Sequence, residues 1–436
     1  MPDRRLLGVV FVIALVCRVV PWLAAAPDPE RLLTPPDSGE YVAIAQNVAA
    51  GHGFSADPAP PYRPDLRRTP VYPSLLAAAF LLPNGGLRLA ALLGVLAGAA
   101  SVAATCWIAA RLFGRAAALI GALLLAVDLT SISYSVVIMT EALFTLLLVG
   151  GVIALMKRPS AAAVSIRGGV WLGIATLCRP AGILLAPVSL PVCAWQQTGA
   201  RRIARDYLRV NAAFLLVLLL WIARNVMVAG TPTLSSIWSV NLYFHRAAAV
   251  EARLEGLAVE DVRDRWERQF QSLSHDLSEA DKLEWMTRHA REVIAAHPWT
   301  YVLITIDGFV YMMESDSREL RRIFGLQDGS AALRALDVAA SVQMWILYPA
   351  VAIGLVAAWR DPDRRRAALI PLAFIAYFVV VSGPEAYARF RVPVMPFLAI
   401  LGGLGIEQAG AWAMTGYRLR TRAKMRSYLA RTTSQR

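Results

Sequence analysis

The feature that most constrains this chain is a set of apolar runs of bilayer length. A hydrocarbon core about 30 Å thick takes roughly 20 apolar residues as helix. Ten segments read as crossings: 6–26, 88–110, 115–133, 137–156, 168–180, 182–196, 207–228, 338–359, 366–383 and 391–411. Hydrophobic residues make up 57% of the 436, against about 45–50% in ordinary soluble domains. A single soluble core in a chain this size cannot bury all of these runs. The expected fold is therefore an all-α polytopic membrane protein with about 10–12 transmembrane helices.

The charges orient these crossings. The net charge is +13. Much of the basic excess sits in short segments beside apolar runs: Arg111 and Arg115, Lys157 and Arg158, Arg201 to Arg209, Arg364 to Arg366, and Arg418 to Arg436. Placing the N-terminus in the cytoplasm puts every one of these segments on the cytoplasmic side, as the positive-inside pattern requires. This distribution argues against nucleic acid as a partner and for membrane lipids, with the tail lying on anionic headgroups.

The chain then divides into a first transmembrane helix (1–26), a first outer loop with interfacial helices (27–87), a transmembrane core (88–228), a helical outer loop (229–337), C-terminal transmembrane helices (338–411) and a basic cytoplasmic tail (412–436). The first helix is expected to be retained, since its apolar stretch exceeds a signal h-region and Arg18 interrupts it. Segments 71–83 and 299–313 read as interfacial or re-entrant, with true crossings as the alternative. The short segments 168–180 and 182–196 read as a hairpin turning at Arg179-Pro180. In the second outer loop, Val259, Val262, Trp266, Phe270 and Leu273 recur at helical spacing, and Ser278 with Asp281 reads as a capping box opening a helix that Pro298 ends. Cys17, Cys106, Cys178 and Cys193 have no CxxC spacing and read as packing residues, with no metal site.

Charged residues in or beside membrane helices are costly, roughly 2.5–3.5 kcal/mol at the bilayer centre on insertion scales, so their placement carries information. Asp37, Glu40, Arg63, Arg67, Arg68, Asp128, Glu141, Arg179, Arg224, Asn225, Glu385, Arg389 and Arg391 all fall on the outer side in this topology. Arginine forks fit phosphate oxygens, and a carboxylate can take the proton of an acceptor. Plainer readings stand beside these. Asp37 can cap a helix starting at Ser38, Glu40 and Glu141 suit helix starts, and Arg179 and Arg224 can snorkel to headgroups.

The stretches Pro36-Asp37-Ser38-Gly39-Glu40-Tyr41, Ala45-Gln46-Asn47, Gly51-His52-Gly53-Phe54-Ser55 and Arg68-Thr69-Pro70-Val71-Tyr72-Pro73 resemble the first outer loop of GT-C glycosyltransferases. Met139 to Phe144, Arg179-Pro180, Trp221 to Asn225 and Ala388 to Pro396 extend the resemblance, in order, to about residue 405. It is nearest to the bacterial family 39-like proteins related to dolichyl-phosphate-mannose-protein mannosyltransferases and aminoarabinose transferases.

The resemblance implies a GT-C-like helical bundle with two large outer (periplasmic) loops, in the cytoplasmic (inner) membrane. It implies a sugar on a polyprenyl phosphate as donor, and a lipid, glycan or protein as acceptor. It implies catalytic or acceptor-positioning roles for Asp37, with Glu40 and Glu141 beside it. Donor phosphate contacts fall to Arg389 or Arg391, with Arg179, Arg224, Arg68 and Arg63 in support. Aminoarabinose transferases carry Lys-Pro-Pro where this chain has Arg68-Thr69-Pro70, which argues against lipid A as acceptor. No cofactor is called for. A divalent metal stays open, but Asp361-Pro362-Asp363 falls on the cytoplasmic side. The rival expectations are a transporter or flippase of a lipid-linked substrate, and a non-catalytic subunit of an envelope-polysaccharide complex.

Overall fold

The computed structural model describes residues 3–83, 85–157, 162–195, 197, 199–275 and 277–433, with side chains up to residue 414. Arg158 and the side chains of Arg418 to Arg436, read above as cytoplasmic charges, lie outside the described residues.

The chain is helical almost throughout, as a polytopic bundle requires: with no water to satisfy exposed backbone, helices satisfy their own. The first half runs α1 (Arg4–Ala24), α2 (Asp37–Ala49), α3 (Val71–Leu81), α4 (Leu87–Phe113), α5 (Arg115–Ala126), α6 (Leu129–Val136), α7 (Glu141–Met156), α8 (Ala162–Cys178), α9 (Leu185–Val188), α10 (Leu190–Ala194) and α11 (Ala200–Ala229). The second half runs α12 (Ile237–Asn241), a π turn (Leu242–Ala247), α13 (Ala248–Glu255), α14 (Val259–Leu273), α15 (Glu279–Ala296), α16 (Pro298–Met313), α17 (Arg318–Phe324), α18 (Ala331–Trp359), α19 (Pro362–Ser382) and α20 (Met395–Thr433).

Among the described residues, six helices are long and apolar enough to cross a membrane: α1, α4, α11, α18, α19 and the first part of α20. The count rises to eight if the bent pairs α5–α6 (57°) and α15–α16 (99°) are each one span. Four shorter apolar stretches, α3, α7, α8 and α9–α10, accompany them. The described residues thus hold six to eight candidate spans where ten to twelve were expected, because the remaining apolar runs form helices too short to qualify. Along α11, Leu215, Leu216, Leu219 and Leu220 are exposed while Val210, Phe214 and Leu218 are buried. An outward apolar face of this kind suits lipid.

Three expectations change in detail. The 115–133 crossing is broken near Asp128, whose carboxylate accepts from Ser131 N and starts α6 as a new helix. The hairpin is asymmetric: α8 runs 17 residues, whereas the return strand of the hairpin is chopped into α9 and α10, where Pro187 and Pro191 interrupt the helical ladder. Its far end nevertheless reaches the basic end of the bundle, where Trp195 lies near Arg111 (5.7 Å, cation to ring). Finally, α15 ends at Ala296, and Pro298 opens α16 rather than merely ending α15.

Small residues set the close packing of the C-terminal spans, as in membrane bundles generally. A Cβ at Gly405 would lie 1.8 Å from the Ala350 carbonyl oxygen, and one at Gly403 2.2 Å from that of Ala117. The helix α20 therefore seats its glycine run directly on the backbones of α18 and α5. Beside this large core is a small aromatic one: Tyr243 of the π turn is buried among Trp266, Phe270, Trp285 and His289 of α14 and α15.

Candidate active site

The connections α4–α5 and α7–α8 carry Arg111, Arg115 and Lys157 at one end of the bundle. The opposite end gathers the start of α7, the end of α8, the turn between α19 and α20, and both large loops. The candidate site lies there.

Its first wall is α2. Pro35 and Pro36 precede the helix, and its opening turn is pinned by Ser38, whose hydroxyl donates to Ile138 O (2.7 Å) and accepts from Thr34 N (2.8 Å). The Asp37 side chain makes no capping bond, so the simple capping role does not apply. Asp37 and Glu40, three residues apart, share one face of the helix.

The loop that follows is folded to bring arginines to that face. Gly51 and Gly53 adopt positive φ (80° and 88°), which glycine tolerates without strain. Asn47 Nδ2 donates to Ser55 O (2.8 Å) and Asp57 O (2.9 Å). Asp65 Oδ1 accepts from Arg67 N (3.0 Å) and Arg68 N (2.7 Å), forming the turn that aims both side chains at α2.

An alternating chain of charges results. Arg67 Nη1 meets Glu40 Oε1 at 3.0 Å. Arg68 donates through Nε to Glu40 (2.7 Å) and through Nη2 to Asp37 Oδ1 (2.6 Å). Arg389 Nη1 donates to Asp37 Oδ2 (2.8 Å). Arg389 Nε and Arg179 Nη1 both donate to Glu141 Oε1. Glu141 is fully buried and Arg68 and Arg389 nearly so. Burial alone would raise the Asp37 carboxyl, but Arg389 and Arg68 outweigh it and hold the group well below the ordinary carboxylate range.

Beside this network is a cavity of about 480 Å³. Asp37, Tyr41, Arg67, Arg68, Arg179 and Arg389 line one side. The other side comes from the second outer loop: Trp238, Asn241, His245, Arg246 and Arg263. Arg246 fastens the two sides together, donating to Glu385 (3.0 Å), Val381 O (2.7 Å) and Tyr301 Oη (3.4 Å). Burial lowers the pKa of His245 to about 4, with Arg263 and Arg67 adding to it.

Five of the nine site residues expected from sequence therefore meet in one network, namely Asp37, Glu40, Arg68, Arg179 and Arg389, and Glu141 joins them from behind. Three do not, and each has a physical reason. Arg63 is exposed and paired with Asp57. Arg224 stacks on Trp221 (4.8 Å) and Phe54 (5.5 Å) and donates to Asp65 O (2.9 Å), so it props the loop from beneath. Arg391 is fully buried, donating to Met312 O (2.9 Å), Glu314 O (2.5 Å) and Thr130 Oγ1 (3.0 Å). The turn Ala388–Arg391 is a 3₁₀ turn, with about 120° between successive residues, so side chains two apart point to different sides. Only Arg389 reaches the cavity.

A divalent metal does not fit this donor set. Among the described residues no three of His, Cys, Asp and Glu group together, and Asp37, Glu40, Glu141 and Glu385 are each held by arginine. Asp361 is a helix cap, its Oδ1 accepting from Asp363 N (2.8 Å) and Arg364 N (3.1 Å).

The sequence reasoning did not find Tyr41, whose hydroxyl accepts from Arg68 Nη1 at 3.0 Å, or the second-loop lining. The run Tyr243-Phe244-His245-Arg246, an imidazole and a guanidinium beside aromatics, is the signal that was there to be read.

No protein-family model matches the chain, and no curated protein does. Solved structures do. The archaeal oligosaccharyltransferase AglB from Archaeoglobus fulgidus, in complex with an inhibitory peptide and a dolichol-phosphate, superposes with TM-score 0.50 at 13% identity, covering 96% of this chain and 51% of that one. The Archaeoglobus fulgidus oligosaccharyltransferase tethered to an acceptor peptide containing the NVT sequon gives 0.52 at 14% identity, over 91% and 49%. The fold is of the GT-C type. ArnT from Cupriavidus metallidurans bound to undecaprenyl phosphate gives 0.42 at 14% identity, over 92% and 78%. The chain spans about half the length of the oligosaccharyltransferase it matches.

Proposed function

We propose that this protein is a GT-C membrane glycosyltransferase, nearest to the family 39-like group. It would move a sugar from a polyprenyl-phosphate donor to an acceptor at the non-cytoplasmic face of the cytoplasmic membrane. The observation that carries this reading is the position of Asp37, a carboxylate at a cavity wall gripped between two arginines, Arg68 and Arg389. The structures of similar fold support it, one being an oligosaccharyltransferase complexed with a dolichol-phosphate. The basic turns at the opposite end of the bundle support the outer location of the site.

The residues divide the work. In the network as it stands, Asp37 is a weak base, because two arginines stabilise its ionised form. A donor phosphate at Arg389 and Arg179 competes for the Arg389 guanidinium and loosens its hold on Asp37, which Arg68 alone then keeps in place. Asp37 then takes the proton of the acceptor hydroxyl or amine as that atom bonds to the anomeric carbon. The bond from that carbon to the phosphate oxygen breaks, and the electron pair leaves with the phosphate, whose added charge the arginines stabilise. A single displacement inverts the anomeric centre. Glu141 holds Arg389 and Arg179 in place, and Glu40 does the same for Arg68 and Arg67.

The test is sugar transfer by purified protein in lipid, from radiolabelled polyprenyl-phosphate sugars to a membrane-extract acceptor pool. Asp37→Asn is expected to lose transfer by about 10²–10⁴ while still binding donor. Full transfer in that variant, or product with retained configuration, would overturn the mechanism. No transfer from any intact donor would overturn the enzyme reading.

A further inference from the structure

The cavity holds more positive charge and more idle donors than one donor phosphate requires. Four arginines, Arg67, Arg68, Arg179 and Arg389, share three carboxylates, Glu40, Asp37 and Glu141. Arg246 is matched by Glu385. Arg263, also on the cavity wall, has no ion-pair partner among the described residues. Two positive charges are thus unmatched.

Two buried N–H donors are also unmatched. Arg67 Nε and Trp238 Nε1 are both buried on cavity-lining residues and have no hydrogen-bond partner in the described structure. Buried donors left unpaired cost roughly 1–3 kcal/mol each and are rare in folded proteins. The loop that carries Trp238 is bonded to the Arg67 turn, Ser235 Oγ donating to Arg67 O and Ser236 N to Leu66 O. The π turn of that loop is fixed rather than loose, because Tyr243 anchors it in the aromatic core, and π turns of this kind concentrate at functional sites.

We infer that Arg67, Trp238, His245 and Arg263 form a second anion subsite, which takes a phosphate or carboxylate group other than the phosphate at Arg389. The inference rests on the proposed function for the identity of that first phosphate. The subsite itself is defined by unmatched cations and donors. Burial is the main reason the His245 pKa is low, and Arg263 and Arg67 lower it further, which places both guanidinium groups in its electrostatic neighbourhood. The second anion belongs either to the acceptor or to a second phosphate on the donor.

The experiment uses the full chain in nanodiscs and isothermal titration. Undecaprenyl phosphate is bound to saturation, and inorganic phosphate is then titrated in. Wild type is expected to show a second binding event. Arg263→Gln weakens it about tenfold, the loss of one charged hydrogen-bond partner. Arg263→Lys largely keeps it, and Trp238→Phe weakens it without removing the ring. Affinity for undecaprenyl phosphate stays within about twofold in all three. A parallel titration with undecaprenyl diphosphate separates the sources. If the diphosphate abolishes the inorganic phosphate event and is itself weakened by Arg263→Gln, the second anion is the donor's. If inorganic phosphate still binds beside it, the second anion is the acceptor's. No second event, with equal affinities for the two lipids and no effect of Arg263→Gln, overturns the subsite. Phosphate binding that depends on Arg263, with no binding of either lipid, keeps the subsite and overturns the donor reading instead.

Discussion

Arg389 Nη1 donates to Asp37 Oδ2 at 2.8 Å, joining residues 352 positions apart in the chain. The same guanidinium donates through Nε to Glu141. One side chain therefore ties the first outer loop to the start of α7 and to the turn before α20. Buried ion pairs contribute little net stability, since desolvation offsets the attraction. On the proposed function, the pairing serves to position these groups for a ligand.

Because Asp37 and Arg389 act as a unit, their substitutions should not add. Asp37→Asn and Arg389→Gln are each expected to cut transfer by about 10²–10⁴. The double variant should fall no more than about tenfold below the worse single. Transfer rates of the four proteins under single turnover give the comparison. Losses that multiply in full would mean that the two side chains serve separate steps.

Arg224 is expected to act through the loop rather than on substrate. It supports Asp65 O and stacks on Trp221 and Phe54, while Asp65 in turn aims Arg67 and Arg68. Arg224→Ala removes a charged hydrogen bond and a stacked surface, about 2 kcal/mol of local order. Limited proteolysis within 51–68 should speed up markedly, with the donor KM raised more than kcat is lowered. Unchanged proteolysis with lost kcat would place Arg224 at the chemistry instead.

How much of this was legible in the sequence follows from which forces act locally. The apolar runs act residue by residue, so the all-helical polytopic fold was readable. Asp37, Glu40 and Arg68 were readable because motif and charge placement agree. Arg391 was not distinguishable from Arg389, since only the 3₁₀ turn separates their directions. Trp238 and Arg263 gave no signal because their contribution depends on how a helical loop docks over the cavity, a matter of tertiary packing.

The glycine seat of α20 gives a stability prediction independent of chemistry. A Cβ at Gly405 meets the Ala350 carbonyl, and backbone cannot move aside cheaply. Gly405→Ala should destabilise by about 1–3 kcal/mol and lower the thermal midpoint in detergent. Gly410→Ala, on the same helix with nothing within 4 Å, should leave the midpoint unchanged or slightly raised. Equal behaviour of the two variants would show that α20 does not pack on α18 as described.

His245 sets a pH signature. Burial lowers its pKa to about 4 from the ordinary 6.5, with Arg263, Arg67 and Arg246 adding to the effect and Asp37 opposing it. The unfolded chain therefore binds the proton near pH 6.5 and the folded chain only near 4. Between those values the unfolded state holds more protons, so stability rises with pH across the window and levels off above it. The thermal midpoint of wild type should climb through this window more steeply than that of His245→Gln, and the two should run parallel above pH 7. An anion beside His245 favours its protonated form and raises its pKa. Added phosphate should therefore raise the wild-type midpoint more at pH 5.5 than at 7.5, a difference absent from His245→Gln. Identical pH slopes in the two proteins, with or without phosphate, would show that His245 titrates as an exposed imidazole and takes no part in closing the cavity.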